Sequence, residues 1–518
     1  MFNHILENKR LVWVVVVLFG VVIMLQYFEF PYFASSQIPK TITNNTSFTY
    51  TLQEKDSNAS SPMSTSSLPP LSSPESFITP PLTIVDKNTS TPHLNPSKPV
   101  LSVDTNNKSF VEKVPRWGKV VTISDMQDML LHNRATIHSM NPKWPSKVDQ
   151  ELLDAKLQIE NTQINDNDRK LYPLYHNISR FKRSYELMEK TLKVYIYKEG
   201  EKPIFHQPNL KGIYASEGWF MKHMEENKHF VTKDPKQAHL FYIPFSSKQL
   251  EVKLFVPGSH NHQVLVQYLK NYHDMISRKY SFWNRTDGSD HFAVACHDWA
   301  TSELRKSMDG CIRAICNSDV RREDFQLGKD VSLPETNVRS PANPLLQLGG
   351  KPSSKRPILA FFAGQMHGYL RPILLQHWEN KDPDMKIYGD LRKSNASGNY
   401  IKYMKSSKYC ICAKGYEVNS PRVVEAIFFE CVPVIISDNF VPPFFEILNW
   451  ESFAVFIQEK DIPNLKNILL SISNKRYRMM QESVKKVQQH FLWHVKPVEY
   501  DIFHMILHSI WYKRVFRV

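Results

Sequence analysis

From Lys408 to Asp438 the chain reads KYCICAKGYEVNSPRVVEAIFFECVPVIISD, the densest set of groups able to hold an anion. An apolar run ends at Ala413, a short polar loop carries Lys414 and Gly415, and Ser420-Pro421 precede a second apolar run. The pattern reads strand, loop, helix, strand. Serine is a good helix cap and proline suits the first helical position. A helix over Pro421–Glu430 would then turn its free N–H groups and positive dipole end toward the loop, which favours phosphate. Gly415 permits close backbone approach, and Lys414 offers a point charge. At the helical repeat, Arg422 and Glu425 share the face opposite Val423, Val424, Ile427 and Phe428. An intrahelical ion pair at a solvated edge would be worth only about 0.3 kcal/mol. In so apolar a helix, at the carboxyl edge of a strand where α/β sheets bind ligands, a functional pair is the better account. Arg422 would face a diphosphate and Glu425 would accept from ribose hydroxyls.

Other residues fall at strand ends too. Gly364 ends the apolar run Ile358–Ala363, and Arg371 follows a short loop, where it could reach phosphates across a cleft or sit on the surface. His297 and Asp298 close the run Phe292–Cys296. Either could take a proton from a hydroxyl, with Asp290 and Glu217 as rivals, and a structural His–Asp pair fits equally well. Asp382 and Asp384 have an Asp-x-Asp spacing, but the polar stretch ENKDPDMK around them reads as a surface turn. His291 and His297 form no recognised ligand set.

These residues need a scaffold that gathers strand ends. Leu192–Tyr197, Ala238–Phe245 and Phe292–Cys296 are continuous apolar runs, as strands buried on both faces require. Helical segments separate them, including Ser216–Glu226 with Ser216 as a candidate cap. A second set has strands at Ile358–Ala363, Met385–Tyr388, Lys408–Cys412 and Val432–Ile436, and a mostly helical end over Ile462–Trp511. Residues 329–356, rich in Pro, Gly, Ser and Lys, read as a linker. The alternation predicts an α/β protein with mainly parallel sheets. The six cysteines, Cys296, Cys311, Cys316, Cys410, Cys412 and Cys431, allow 15 pairings. In an oxidising compartment one or two disulfides fit, while Cys296 and Cys431 fit equally well as buried thiols. A formal net charge of +14 favours anionic partners, yet no zinc-finger spacing, aromatic-basic pattern or basic block points to nucleic acid.

Leu11–Phe28 (LVWVVVVLFGVVIMLQYF) has one strongly polar residue, Gln26. With the aromatics through Phe33 it reaches about 20 residues, the length of a membrane helix. Lys9 and Arg10 precede it and Glu29 follows, which keeps the N-terminus cytoplasmic and the remainder lumenal. A cleaved signal peptide with a weak site at Ala34-Ser35-Ser36 is the rival reading. In residues 41–100, Ser, Thr, Pro and Asn supply 36 of 60 positions, a composition that does not fold alone. Sequons at Asn44, Asn45, Asn58, Asn88, Asn107, Asn177, Asn284 and Asn395 agree with lumenal exposure. The expected order is a tail (1–10), a transmembrane anchor (11–33), a flexible stem (34–115), a helical neck (116–190), a first α/β domain (191–345) and a second with terminal helices (346–518).

Three stretches carry a family resemblance: ILAFFAGQMHGYLRP, SSKYCICAKGYEVNSPRVVEAIFFECVPVIISDNFVPPF and WNRTDGSDHFAVACHDW. They resemble the plant exostosin-like glycosyltransferases, glycosyltransferase family 47, and the likeness extends over nearly everything after Lys190. Thr301 departs from it, standing after Trp299-Ala300 where proline is expected. The resemblance implies a GT-B fold, two Rossmann-like domains with the active site in the interdomain cleft and the donor on the second. It implies an inverting transfer from a nucleotide sugar, a UDP-sugar, to a cell-wall polysaccharide or oligosaccharide acceptor. The setting would be the Golgi lumen, from a single-pass type II protein in the Golgi membrane, alone or with other glycosyltransferases. No essential metal is expected, because basic residues and helix dipoles serve such sites. On this reading Gly364, Arg371, Lys414, Gly415, Ser420, Arg422 and Glu425 hold the nucleotide sugar, and His297 or Asp298 is the base. Glu417 holds the donor sugar or is simply a loop carboxylate. The alternatives are a polysaccharide-binding or scaffold subunit without turnover, against which the Arg422–Glu425 face argues, and a hydrolase, which needs two carboxylates across a groove.

Overall fold

The computed structural model describes residues 120–136, 142–259, 261–322, 325–391 and 398–518. They fall within one compact unit, Ser109–Val518. The expected membrane span, the stem and the sequons at Asn44, Asn45, Asn58, Asn88, Asn107 and Asn395 lie outside the described residues. Among the described residues no helix is long and apolar enough to cross a membrane.

The apolar runs form strands of two sheets. β1 (Val194–Ile196), β2 (Leu240–Ile243), β3 (His291–Ala295), β4 (Ile312–Ile315) and β5 (Val331–Ser332) lie side by side in that order. β6 (Ile358–Ala363), β7 (Met385–Tyr388), β8 (Ser407–Ala413), β9 (Val432–Ile436) and β10 (Val455–Phe456) form the second sheet in the order β10-β9-β8-β6-β7. The strand pairings are parallel in both. Parallel strands must be covered on both faces, and β2 shows how. Its neighbours Phe241 and Tyr242 point to opposite sides. Tyr242 stacks on Phe292 at 4.9 Å, against Phe220 of the helix Ala215–Glu226. Phe241 stacks on His291 at 4.8 Å, against Phe282 of the helix Phe282–Thr286.

The structure differs from the sequence reading in several places. Residues 329–356 are not only a linker, because Val331–Ser332 pairs with β4 and completes the first sheet. Ser216 does not cap its helix, which starts at Ala215. Its hydroxyl instead bonds Pro334 O (2.5 Å) and Thr336 Oγ1 (2.8 Å). The last helix, Ile502–Val515, was expected with the second domain, yet it packs on β4 and β5 and on the helices Lys147–Glu160 and Ile178–Thr191. All its residues are buried, charged Lys513 and Arg514 included. Its Arg514 reaches Asp149 at 3.5 Å, and Asp149 also takes both Nη atoms of Arg285 (2.7 and 2.9 Å).

Cys296 and Cys431 are not thiols. Parallel neighbours bring Cys316 beside Cys296 just past β3 and β4, and Cys431 beside Cys410 of β8, and both pairs are disulfides. Cys311 and Cys412 remain buried thiols. Of the described sequons, Asn284 is exposed, and Asn177 accepts the Arg180 N–H (2.9 Å) as a helix cap.

Three core histidines make stability depend on pH. Burial pulls His223, His490 and His508 from 6.5 down to about 4. His490 bonds the Tyr175 hydroxyl and His508 the Ser184 hydroxyl, each at 2.7 Å. The unfolded chain takes up these protons near 6.5 and the folded chain only near 4, so the unfolded state binds more protons in between. The thermal midpoint should therefore fall as pH is lowered from about 6.5 toward about 4. A midpoint that stays level across that window would contradict buried neutral histidines.

Candidate active site

In the second sheet β7 and β8 flank β6 on opposite sides, so the chain reverses its direction of travel there. Open α/β sheets bind ligands at the carboxyl ends of such strands. Two arginines occupy this place. Arg422 donates from Nε (3.0 Å) and Nη2 (2.7 Å) to Ala363 O, the last carbonyl of β6, and from Nη1 to Ser420 Oγ (3.3 Å). Arg371 donates from Nη1 to Gln365 O (3.0 Å) and from Nε to Ala413 O, the end of β8 (3.4 Å). Gly364 and Gly415 leave room for them. A Cβ on Gly364 would lie 2.2 Å from Arg422 Nη2, and one on Gly415 would lie 3.0 Å from Arg371 Nη2. Burial and then the Arg422 charge pull Arg371 down to about 10.

The facing wall comes from the first sheet. Glu335 follows β5 and is buried. Burial and then Asp298 push its carboxyl well above the usual range, against the pull of Arg422 and Arg371. The bonds from Ser216 to Pro334 and Thr336, and one from Trp493 Nε1 to Thr336 Oγ1 (2.9 Å), fix this segment. Sequence reasoning missed Glu335 because it counted the segment as linker; the available signal was an acid one residue past the short run Val331-Ser332-Leu333, after Pro334.

His297 lies between the Tyr214 and Trp299 rings (4.9 and 5.1 Å), and burial pulls it down to about 4, so it is a poor base near neutral pH. Asp298 is partly open to solvent. Its charge acts on Glu335 and also on His367 of the second-sheet wall. The rival carboxylates are engaged elsewhere. Glu217 lies beneath the loop and accepts the N–H groups of Cys296 (2.5 Å), His297 (3.1 Å) and Lys248 (3.3 Å) and the Ser246 hydroxyl (2.8 Å). Asp290 precedes β3, at the far end of the sheet, and bonds His291 (2.7 Å) and Thr286 (2.6 Å).

Four further expected ligands have partners within the fold. Lys414 Nζ lies 2.7 Å from buried Glu459, so its charge is already answered. Glu417 pairs with Arg322 at 2.8 Å. The expected helix Pro421–Glu430 runs only from Arg422 to Phe428, with Pro421 rather than Ser420 at its cap, and Glu430 leaves it in the left-handed conformation (φ 54°). Ser420 serves as an acceptor for Arg422 instead. Glu425 takes Tyr400 OH (2.7 Å), Asn337 Nδ2 (3.2 Å) and Arg339 Nη2, and borders a cavity lined by Val424, Phe428 and Trp493. Asp382 and Asp384 share Lys466 (2.5 and 3.0 Å).

The crevice makes a direct prediction. Alanine at Gly364 must push the Arg422 guanidinium off Ala363 O. The displaced atoms end a flexible side chain, so stability should fall by only about 1 kcal/mol. Affinity for pyrophosphate, measured by calorimetry, should drop clearly; unchanged affinity would place the anion elsewhere.

Residues 188–472, from just before β1 to just past β10, match the family model described as the exostosin GT47 domain. The chain is 40% identical over 438 residues to a probable glycosyltransferase of Arabidopsis thaliana, covering 82% of this chain and 83% of the relative. It is 30% identical over 347 residues to a probable glucuronosyltransferase of Oryza sativa subsp. japonica (62% and 80% covered). It is 28% identical over 346 residues to a probable beta-1,4-xylosyltransferase of Arabidopsis thaliana (62% and 81% covered). The crystal structure of TarM overlaps at a TM-score of 0.23 and 8% identity over 43% of this chain and 54% of that one, too slight a likeness to argue from. With the family model spanning both sheets and the 40% relative spanning most of both chains, this chain belongs to the exostosin GT47 family and is a glycosyltransferase.

Proposed function

We propose that the two sheets form a GT-B pair of domains and that the protein transfers a sugar, with inversion, from a UDP-sugar to a cell-wall polysaccharide. The observation that carries this reading is the Arg371–Arg422 pair, two like charges packed at the reversal point between β6 and β8 with backbone carbonyls as partners. A diphosphate between them would relieve their repulsion. As the sugar leaves, charge grows on that diphosphate, and guanidiniums already in place stabilise it without reorganisation. The arginine charge serves where a metal otherwise would. The nucleoside lies toward Glu425 and the acceptor toward Asp298, which takes the proton of the attacking hydroxyl. Glu217 and the Cys296–Cys316 disulfide hold the loop that carries Asp298. Glucuronosyl- and xylosyltransferase relatives support pyranosyl transfer to a polysaccharide. The apolar span and stem read from residues 11–115, together with the disulfides, support a type II protein in the Golgi membrane with its catalytic part lumenal.

Two substitutions test the roles. Arg422→Ala should weaken UDP binding at least roughly tenfold while the protein still unfolds cooperatively; full affinity would sink the donor site. Asp298→Asn should keep UDP affinity and lower turnover, read as nucleoside diphosphate release, by about 10²–10⁴-fold. Wild-type turnover in that variant would remove Asp298 as the base.

A further inference from the structure

An exposed aromatic pair stands beside the arginines. Tyr416 is 70% exposed although Gly415 before it is buried. Its ring lies on His367, with centroids 5.1 Å apart and planes 20° from parallel. Backbone contacts set the pair in place. Gly368 has φ 70°, and a Cβ there would lie 2.1 Å from Gly415 O; a Cβ on Gly415 would lie 3.4 Å from His367 Cβ. Gln365 O, at the base of the same loop, accepts from both His367 N (2.9 Å) and Arg371 Nη1 (3.0 Å). The ring pair is thus built onto the anion site itself.

Contacts order the crevice. Glu425 meets Tyr400 and Arg339, Arg422 meets Gly364, Arg371 meets Gly415, and His367 and Tyr416 follow. A nucleoside at Glu425 therefore sits at the opposite end from the rings. The charge that acts on His367 from the other wall is Asp298. Burial, Arg371 and Arg422 lower His367, so its ring is neutral near neutral pH and backs Tyr416 without adding charge. A neutral, flat, solvent-facing ring built onto the anion site suits the C–H face of a pyranose.

We propose that Tyr416, backed by His367, is the platform on which a glycosyl ring of the acceptor stacks, a role that rests on the arginine crevice being the donor site. Tyr416→Ala, Tyr416→Phe and wild-type full-length protein would be compared by calorimetry, with UDP as the nucleotide probe and xylohexaose, cellohexaose and hexagalacturonate as acceptor probes. Tyr416→Ala should weaken the oligosaccharide that the wild type binds by roughly tenfold. UDP affinity should not change, and Tyr416→Phe should match wild type, because stacking uses the ring and not the hydroxyl. Loss of UDP affinity in Tyr416→Ala would make the ring a nucleobase platform and overturn the proposal. So would equal oligosaccharide affinity in Tyr416→Ala and wild type, or a wild type that binds none of the three. Failure of the donor reading is separable: it shows as full UDP affinity in Arg422→Ala, whatever Tyr416 does.

Discussion

Two guanidinium groups held side by side at the ends of parallel strands set the terms for everything around them. A strand that stops leaves its last carbonyl without a ladder partner, and buried carbonyls must be paired. Arg422 and Arg371 meet that need at Ala363 and Ala413. Carbonyls orient a guanidinium but do not neutralise it, so both charges persist. Gly364 and Gly415 follow as a steric requirement, since any side chain there would meet the arginines. Glu335 could have cancelled the charge. Burial and its neighbour Asp298 push its carboxyl well above the usual range instead.

The facing wall has a different burden, which is rigidity. Asp298 sits on a loop whose backbone is pinned from below by Glu217 and from the side by the Cys296–Cys316 disulfide. The sheet beneath is closed by the last helix of the chain, anchored through Arg514, Asp149 and Arg285. Removing one partner from such a buried set costs about 3–5 kcal/mol, so the wall does not shift easily. The two walls also touch directly. Asn419 donates to Cys316 O at 2.9 Å, and Ser318 to Val441 O at 2.7 Å. Contacts of this kind fix how far Asp298 stands from the arginines.

Much of this was legible in the residues alone. Strands buried on both faces read as unbroken apolar runs, so β2, β3, β6, β8 and β9 stand where the sequence places them, within a residue or two. Residues at strand ends follow from that: Gly364, Arg371, Gly415 and Arg422 gather where β6 and β8 end, and Asp298 stands just past β3. The short β5 left too little pattern to notice, and Glu335 went with it.

Pairing across the fold was not legible. Lys414 and Glu425 looked like free ligands because their partners, Glu459 for one and Arg339 and Tyr400 for the other, lie on distant segments. Cys296 and Cys431 fitted thiols and disulfides equally well for the same reason. The sequence by itself determined which segments become strands and which residues fall at their ends, because periodicity and burial act over a few neighbouring positions. Only the tertiary structure decided which of those charges are answered within the protein and which remain for a ligand, because that depends on contacts between residues far apart in the chain.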